Sequence, residues 1–176
     1  MVRVLLVLTA AALLVGCNTG TSAPVVKVEH AELGRPFLLA DEPDGAVGIL
    51  DFREALPADE EPAVQDVTLL GRIGGGDPTW SSQSAAFLVS DPSHAVAADN
   101  QHVCTSDNCP FCKAKKSEDK SHAIVMLTDG DNRVPPHDAR KLLPLEEGQM
   151  VVVRGRAEVN ALGQLIVHAR SLYVRR

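Results

Sequence analysis

From residue 64 onward, the pattern of apolar and polar residues predicts five β-strands. The predicted strands cover residues 64–73, 85–90, 122–128, 149–159 and 165–174. The last two form the clearest pair, because every second residue is apolar on both sides of a turn around Gly163. These alternating residues are Val151 and Val153 before the turn, and Leu165 and Val167 after it. Such alternation is typical of strands with one face on a core and the other in water.

Two stretches with helical spacing complete the pattern. Residues 46–56 predict a short helix before the strands, and residues 137–143 predict another directly after a pair of prolines. The second helix falls between the third and fourth strands, which is where the five-stranded OB-fold barrel has its helix. We therefore predict a mainly β protein with a small OB-like barrel over residues 63–176, preceded by an N-terminal segment over residues 25–62. Another small β-barrel or sandwich is the alternative.

The first 16 residues have the pattern of an export signal. Arg3 precedes an apolar run over residues 4–15, which is shorter than the roughly 20 residues of a membrane-spanning helix. The run ends in Leu14-Val15-Gly16-Cys17, which resembles the bacterial lipobox. The resemblance implies cleavage before Cys17 and attachment of lipid to this residue, with residues 17–24 as a flexible tether. The alternatives are an ordinary signal peptide or an uncleaved anchor.

This N-terminal pattern predicts a protein held on a bilayer, facing the periplasm or the exterior. Two or more acyl chains would anchor it stably. Asn18 follows the cysteine. By analogy with lipoprotein sorting in enteric bacteria, the absence of Asp at this position favours the outer membrane over the inner one. We expect the cell membrane or the outer membrane as the location.

Charge and composition argue against one class of partner. The formal net charge is −6 at pH 7, and only 3% of the residues are aromatic. Proteins that bind nucleic acids use basic stripes and stacking aromatic side chains. We therefore do not expect nucleic-acid binding, although OB-folds can support it.

Three cysteines remain when Cys17 is set aside, and all lie in a predicted insertion over residues 94–121. Cys104, Cys109 and Cys112 are separated by four and by two residues. The two-residue separation is the usual spacing for two thiolates that face one zinc ion. Three cysteines cannot all pair within one chain, so a metal site that uses all three is our leading interpretation.

A structural zinc ion prefers four ligands, so a histidine is needed beside the three cysteines. His102 is our candidate, and His94 or His122 is the alternative, because these two stand at the ends of the insertion. Four lysines near the cluster would lower the pKa values of the thiols and offset the charge of the thiolates. They are Lys113, Lys115, Lys116 and Lys120.

Other chemistry at the same cysteines stays open. A plain disulfide would leave one free thiol, which could bridge two chains. Cys109-Pro-Phe-Cys112 has the form of a thioredoxin-like redox motif, although no βαβ unit precedes it. An iron–sulfur cluster would lack its fourth cysteine. Covalent haem attachment would have Lys113 in place of histidine, and His168-x4-Tyr173 is one residue longer than the His-x3-Tyr of a haem chaperone family.

Motifs that would indicate an enzyme are incomplete. The glycine-rich residues 71–76 are not followed by Gly-Lys-Thr, so a bend of the barrel explains them better than a phosphate loop. Residues 129–132 lack the spacing and the distal glutamate of a calcium loop. Serines near Asp91 and His94 lack the nucleophile-elbow motif of hydrolases. We expect no catalytic residues.

Several pieces of the chain resemble a group of exported bacterial lipoproteins, common in planctomycetes, that pair a lipobox with an OB-like domain. The pieces are Gly71-Arg-Ile-Gly-Gly, Phe87-Leu-Val-Ser-Asp-Pro, Cys109-Pro-Phe-Cys, Asp138-Ala-Arg-Lys-Leu-Leu and Val151-Val-Val-Arg-Gly-Arg. The resemblance implies the fold and the compartment, and no particular activity. We expect a non-enzymatic, metal-binding envelope lipoprotein that binds an envelope protein or a small ligand. A thiol-redox or metal-handling protein is the alternative.

Overall fold

A computed structural model of the protein describes residues 28–57, 64–93 and 120–175. Its strands are β1 Val47–Gly48, β2 Gln65–Ile73, β3 Ala86–Ser90, β4 His122–Leu127, β5 Met150–Val159 and β6 Leu165–Val174. Its helical elements are Ala31–Gly34, the 3-10 turn Arg35–Phe37, Ile49–Ala55 and Ala139–Leu142. All five predicted strands and both predicted helices are present, and the helices are shorter than predicted.

Five of the strands close into a barrel. β2 pairs antiparallel with β5, β5 pairs antiparallel with β6, and β6 runs parallel to β4. β4 then pairs antiparallel with β3, which meets β2 at Arg72 and Ile73. The order β2-β3-β4-β6-β5 returns to β2, with one helix between β4 and β5. The prediction of a mainly β protein with a small OB-like barrel is confirmed.

The alternation of the sequence places one face of each strand in the core. Each barrel strand contributes at least one fully buried branched aliphatic side chain, and together these fill the interior. Examples from the five strands are Leu69, Val89, Val125, Val153 and Val167. Removing such side chains from water stabilises the fold by roughly 1.5–3 kcal/mol each.

The helix Ala139–Leu142 packs against this core between β4 and β5. Its first turn is capped by Asp138, whose Oδ1 accepts a hydrogen bond of 2.9 Å from the Arg140 amide. Leu142 at its end is buried, as are Leu143 and Leu145 beyond it. Four residues cannot form a stable helix alone, so the capping and the buried leucines hold this element in place.

The N-terminal segment shares the core of the barrel. Phe37, Ile49 and Phe52 are buried in the same cluster as the strands, and β1 pairs parallel with β2. At Gly34 the backbone passes so close to the helix Ala139–Leu142 that an added Cβ would overlap the Leu142 carbonyl group. The residues before the barrel therefore pack as part of its wall. In the described ranges, no helix is long and apolar enough to cross a membrane.

Candidate functional site

Most of the predicted site lies outside the described residues. This holds for the export signal over residues 1–16, the tether over residues 17–24, and six of the singled-out residues: Cys17, His94, His102, Cys104, Cys109 and Cys112. His122 is described, as the first residue of β4. The structure therefore describes the two ends of the insertion and what holds them.

The insertion leaves and rejoins the barrel at neighbouring strands. Ser90, at the end of β3, and His122, at the start of β4, are partners in the antiparallel register. One step further out, the Asp91 amide donates a hydrogen bond of 2.7 Å to the Ser121 carbonyl oxygen. The described residues on either side of the 26-residue stretch 94–119 are thus held close together by the sheet.

Asp91 is a buried carboxylate that joins the insertion to the N-terminal segment. Only 4% of the residue is exposed, and its oxygens accept hydrogen bonds from the amides of Leu50 at 3.0 Å and Ser93 at 2.8 Å. The Ser93 hydroxyl donates to the same carboxylate. Leu50 lies in the first turn of the helix Ile49–Ala55, so Asp91 caps that helix from a distant part of the chain.

Two opposing effects set the pKa of Asp91. Burial raises this pKa, but the hydrogen bonds from the Ser93 hydroxyl and from the amides of Leu50, Ser93 and Ile49 more than offset it, so the pKa lies below its ordinary value. The carboxylate is close to Gly48, where a Cβ would come within 2.9 Å of Oδ2. The glycine lets the charged group reach the helix amides.

His122, the described candidate ligand, lies against a glycine-rich loop. Its Nδ1 is 3.3 Å from the Ser121 hydroxyl oxygen. Its Nε2 faces Gly75, where an added Cβ would come within 2.8 Å of that nitrogen. The loop after β2 therefore covers part of the imidazole, and a side chain at position 75 would push the ring aside.

Arg53 ties the same end of the barrel to the helix Ile49–Ala55. Its Nη1 donates to the Gly163 carbonyl at 3.1 Å, and its Nη2 lies 3.5 Å from the His122 carbonyl oxygen. Burial lowers the pKa of Arg53 from its ordinary value. Its Nε is buried and has no acceptor among the described residues. The side chain therefore links the helix, the start of β4 and the β5–β6 turn.

These groups hold together the end of β3, the start of β4 and the helix Ile49–Ala55. Across residues 28–57, 64–93 and 120–175, no three His, Cys, Asp or Glu side chains come together in a way that could hold a metal ion. A zinc site would need the cysteines of the insertion. Sequence reasoning missed the roles of Asp91 and Arg53, because Asp91-Pro92 reads as a turn and Arg53 as an ordinary helix residue.

A groove of about 420 Å³ lies on the outer face of β3 and β4, beside the β2–β3 loop. Leu88 and Ile124 point outward into it, and Trp80 and three polar loop residues, Ser81, Ser82 and Gln83, line its edge. The Trp80 ring packs on Phe87 at 5.6 Å, and the Arg140 guanidinium stacks over Trp80 at 5.1 Å. In OB-folds, this face and loop are the usual ligand surface.

The fold and the insertion define the class of the protein: an OB-like barrel with an N-terminal wall segment and a cysteine-bearing insertion between β3 and β4. Comparisons of the chain with protein-family models, with curated proteins and with solved structures found no match. The assignment to this class therefore rests on strand order and register.

Proposed function

We propose that this protein is a lipid-anchored binding protein of the bacterial envelope, whose OB-like barrel carries an insertion that holds one structural zinc ion. The ligands would be Cys104, Cys109 and Cys112, with His102 as the fourth and His94 or His122 as alternatives. The observation that carries the proposal is the anchoring of both ends of the insertion on paired strands, by the Asp91–Ser121 hydrogen bond of 2.7 Å and the Asp91 carboxylate.

The physical argument concerns the stability of the insertion. The 26 residues from 94 to 119 contain few large apolar side chains, so they cannot build a hydrophobic core of their own. Three thiols within nine residues are a ligand set that can close such a loop around one ion. Because the two ends are already held together by the barrel, less chain entropy is lost when the loop closes.

The outer groove supports a binding role rather than catalysis. Its floor is formed by apolar side chains such as Leu88 and Ile124, and its edge by Trp80 and hydroxyl and amide groups. The outward residues of β3 and β4 include no lysine or arginine, the side chains that follow a phosphate backbone. A small ligand or an envelope protein fits this surface better than nucleic acid does.

The metal site is tested on residues 18–176, purified without chelator. We expect about one zinc per chain, with three thiols becoming reactive only on denaturation. Cys104→Ser, Cys109→Ser and Cys112→Ser should each lose the metal, and alanine substitution of His102, His94 and His122 one at a time would identify the fourth ligand. His168→Ala, on the outer face of β6, is the matched control and should keep its zinc. A chain without metal and with one free thiol would contradict the proposal.

The same material separates structural zinc from the redox or metal-handling alternative. A structural site should hold zinc tightly, and removal with a chelator should lower the melting temperature. A site that cycles during function should release and rebind metal, or form and break a disulfide, with the barrel unchanged. Zinc that exchanges freely without any change in thermal stability would therefore favour the alternative.

Lipid anchoring at Cys17 is tested in a bacterial host. The chain should incorporate a labelled fatty acid and fractionate with membranes, whereas Cys17→Ser should lose the label. Labelling that persists in Cys17→Ser would rule out this attachment residue. A positive result would also support a place among the exported lipoproteins that the sequence resembles.

A further inference from the structure

A second groove, of about 690 Å³, lies between the N-terminal segment and the barrel, at the end of β4 away from the insertion. Leu33, Pro36 and Phe37 line it from the N-terminal side. Pro135 and Pro136 line it from the barrel side. Its volume lies within the roughly 300–1,000 Å³ typical of sites for small molecules, which often occur where two parts of a protein meet.

The walls of this groove are mostly apolar. Leu33 is 52% exposed although it belongs to the helix Ala31–Gly34, which packs on the barrel through Gly34. The three prolines have no side-chain or backbone donors and hold their segments rigid. Single exposed leucines are common on protein surfaces. An exposed leucine that lines one concave surface together with three prolines instead offers a preformed apolar site.

The groove is lined by one carboxylate and one guanidinium. Asp129 lines it, but its carboxylate accepts hydrogen bonds from the amides of Asp131 and Arg133, both at 2.9 Å, and an ion pair from Arg133 Nε at 3.2 Å. Arg170, exposed on the outer face of β6, also lines the groove and has no ion pair or side-chain hydrogen bond within the described residues. Within the described ranges, the charged group without a partner at this groove is therefore the Arg170 guanidinium.

One more side chain shapes the groove. His137 lines it and stacks on His30, with the ring centroids 4.4 Å apart. This stack joins the N-terminal segment to the barrel next to the hydrogen bond of 2.8 Å from the His30 amide to the Lys141 carbonyl. Both walls are thus held in position without a ligand.

We propose that this groove binds a small amphiphile with a carboxylate at one end. The apolar body lies against Leu33 and the prolines, and the carboxylate pairs with Arg170, whose planar fork of donors matches two carboxylate oxygens. This site is separate from the insertion and does not depend on the metal.

The test uses residues 18–176, which retain every described element. Decanoate and decyltrimethylammonium are titrated below their micelle concentrations, and decanol below its solubility limit. Calorimetry follows binding. We expect one decanoate per chain, with decanol at least roughly tenfold weaker and the cation weaker still, because only the carboxylate matches Arg170. No saturable decanoate binding, or equal binding of decanol, would overturn the proposal.

Variants locate the site. Arg170→Gln should weaken decanoate about tenfold and leave decanol unchanged, whereas Leu33→Ser should weaken both ligands. Arg72→Gln is the control, since Arg72 is exposed on β2 and does not line the groove. Both groove positions are exposed, so the variants should melt close to the parent. Equal losses of decanoate affinity in Arg170→Gln and Arg72→Gln would show general charge attraction and overturn the proposal.

A peptide ligand is the alternative occupant of the groove. Tighter binding of an acetylated apolar tripeptide than of decanoate would show that the groove is a peptide site and would overturn the proposal.

Discussion

Asp91 and Arg170, near opposite ends of β4, are held in opposite ways. At the first end, beside the insertion, the Asp91 carboxylate is buried and its oxygens accept hydrogen bonds from backbone amides and a hydroxyl. At the other end, beside the groove that Leu33 lines, the Arg170 side chain is exposed and has no ion-pair or hydrogen-bond partner among the described residues. The strand connecting them, β4, pairs with β3 over His122–Met126 and with β6 over Ala123–Leu127.

This difference gives Asp91 a structural role and leaves Arg170 suited to binding a ligand. A buried charge whose hydrogen bonds are all formed stabilises one backbone arrangement. Any other arrangement would leave the charge unpaired where water cannot solvate it well. A charge without a partner at the edge of an apolar groove costs little in the free protein and remains available to a ligand. The insertion end therefore positions chain segments, and the groove end is suited to binding.

The largest effect on stability is expected at Gly34, whose close contact with Leu142 holds the N-terminal segment against the barrel. Gly34→Ala should lower the free energy of unfolding by about 3 kcal/mol, since its Cβ would overlap the backbone of Leu142 and a backbone group cannot rotate away. Chemical denaturation measures it. The same variant should lose decanoate binding while keeping its zinc.

Gly130→Ala is the matched control, because a Cβ there meets no atom within 4 Å. It should unfold at nearly the parent denaturant concentration. Equal stability of the two variants would mean that the N-terminal segment does not pack on the helix Ala139–Leu142 as described.

Removal of the buried carboxylate should be the next largest effect. Asp91→Ala should lower the free energy of unfolding by about 2 kcal/mol, because the amides of Leu50 and Ser93 lose their acceptor. Asp44→Ala, at an exposed position, should change it by less than about 0.5 kcal/mol. If both substitutions cost the same, Asp91 does not support the insertion end.

The pH dependence of stability sharpens the same point. Asp91 has a pKa below its ordinary value of 3.8 in the folded chain, and so does Asp138, mainly through its hydrogen bond with Arg140. Each stabilises the fold above its unfolded pKa, and this contribution disappears as the pH falls through the folded pKa. The stability difference between the parent and Asp91→Asn should therefore be greatest near neutral pH and shrink below about pH 4. Urea denaturation between pH 7 and pH 3 measures it, and a difference that grows on acidification would contradict the assignment.

The smallest effect concerns the stack beside the outer groove. Arg140→Lys should cost at most about 1 kcal/mol, because lysine keeps the charge but loses the flat contact with Trp80 and the forked pairing with Asp138. Trp80 is the single tryptophan of the chain, so its emission reports the change directly. Arg154→Lys, at an exposed position on β5, should leave the emission as it is. An unchanged spectrum in Arg140→Lys would argue against the stack.

The barrel was predictable because its signals are local. The hairpin of β5 and β6 follows from apolar residues at every second position around Gly163, and the observed strands match the predicted ranges within one residue. The helix after the two prolines was predicted from the helical spacing of its apolar residues. Its position between the third and fourth predicted strands then indicated an OB-like barrel. The predicted helix over residues 46–56 is also present, although its first residues form β1 instead, because Val47 and Gly48 pair with Leu69 and Leu70.

The supporting contacts were not predictable, because each joins residues far apart in the chain. Asp91 and Leu50 are 41 positions apart, and Arg53 and Gly163 are 110 apart. Nothing in the local pattern of Asp91-Pro92 distinguishes a helix cap from an ordinary turn. The second groove likewise needs Leu33 and Arg170 on one concave surface, which only the packing of the N-terminal segment brings about.

By itself the sequence determined the strands, the place of the short helix and hence the barrel, since alternation and turn residues act over a few neighbours. It also predicted which residues can carry chemistry: Cys17 in a tetrapeptide that resembles a lipobox, and three further cysteines between β3 and β4. Only the tertiary structure decided that the N-terminal segment becomes part of the barrel wall and that Asp91 is buried with its hydrogen bonds made. It also decided that Arg170 has no partner among the residues the structure describes. The reason is physical: burial and charge pairing depend on which distant segments meet, and that is settled by the packing of the whole chain.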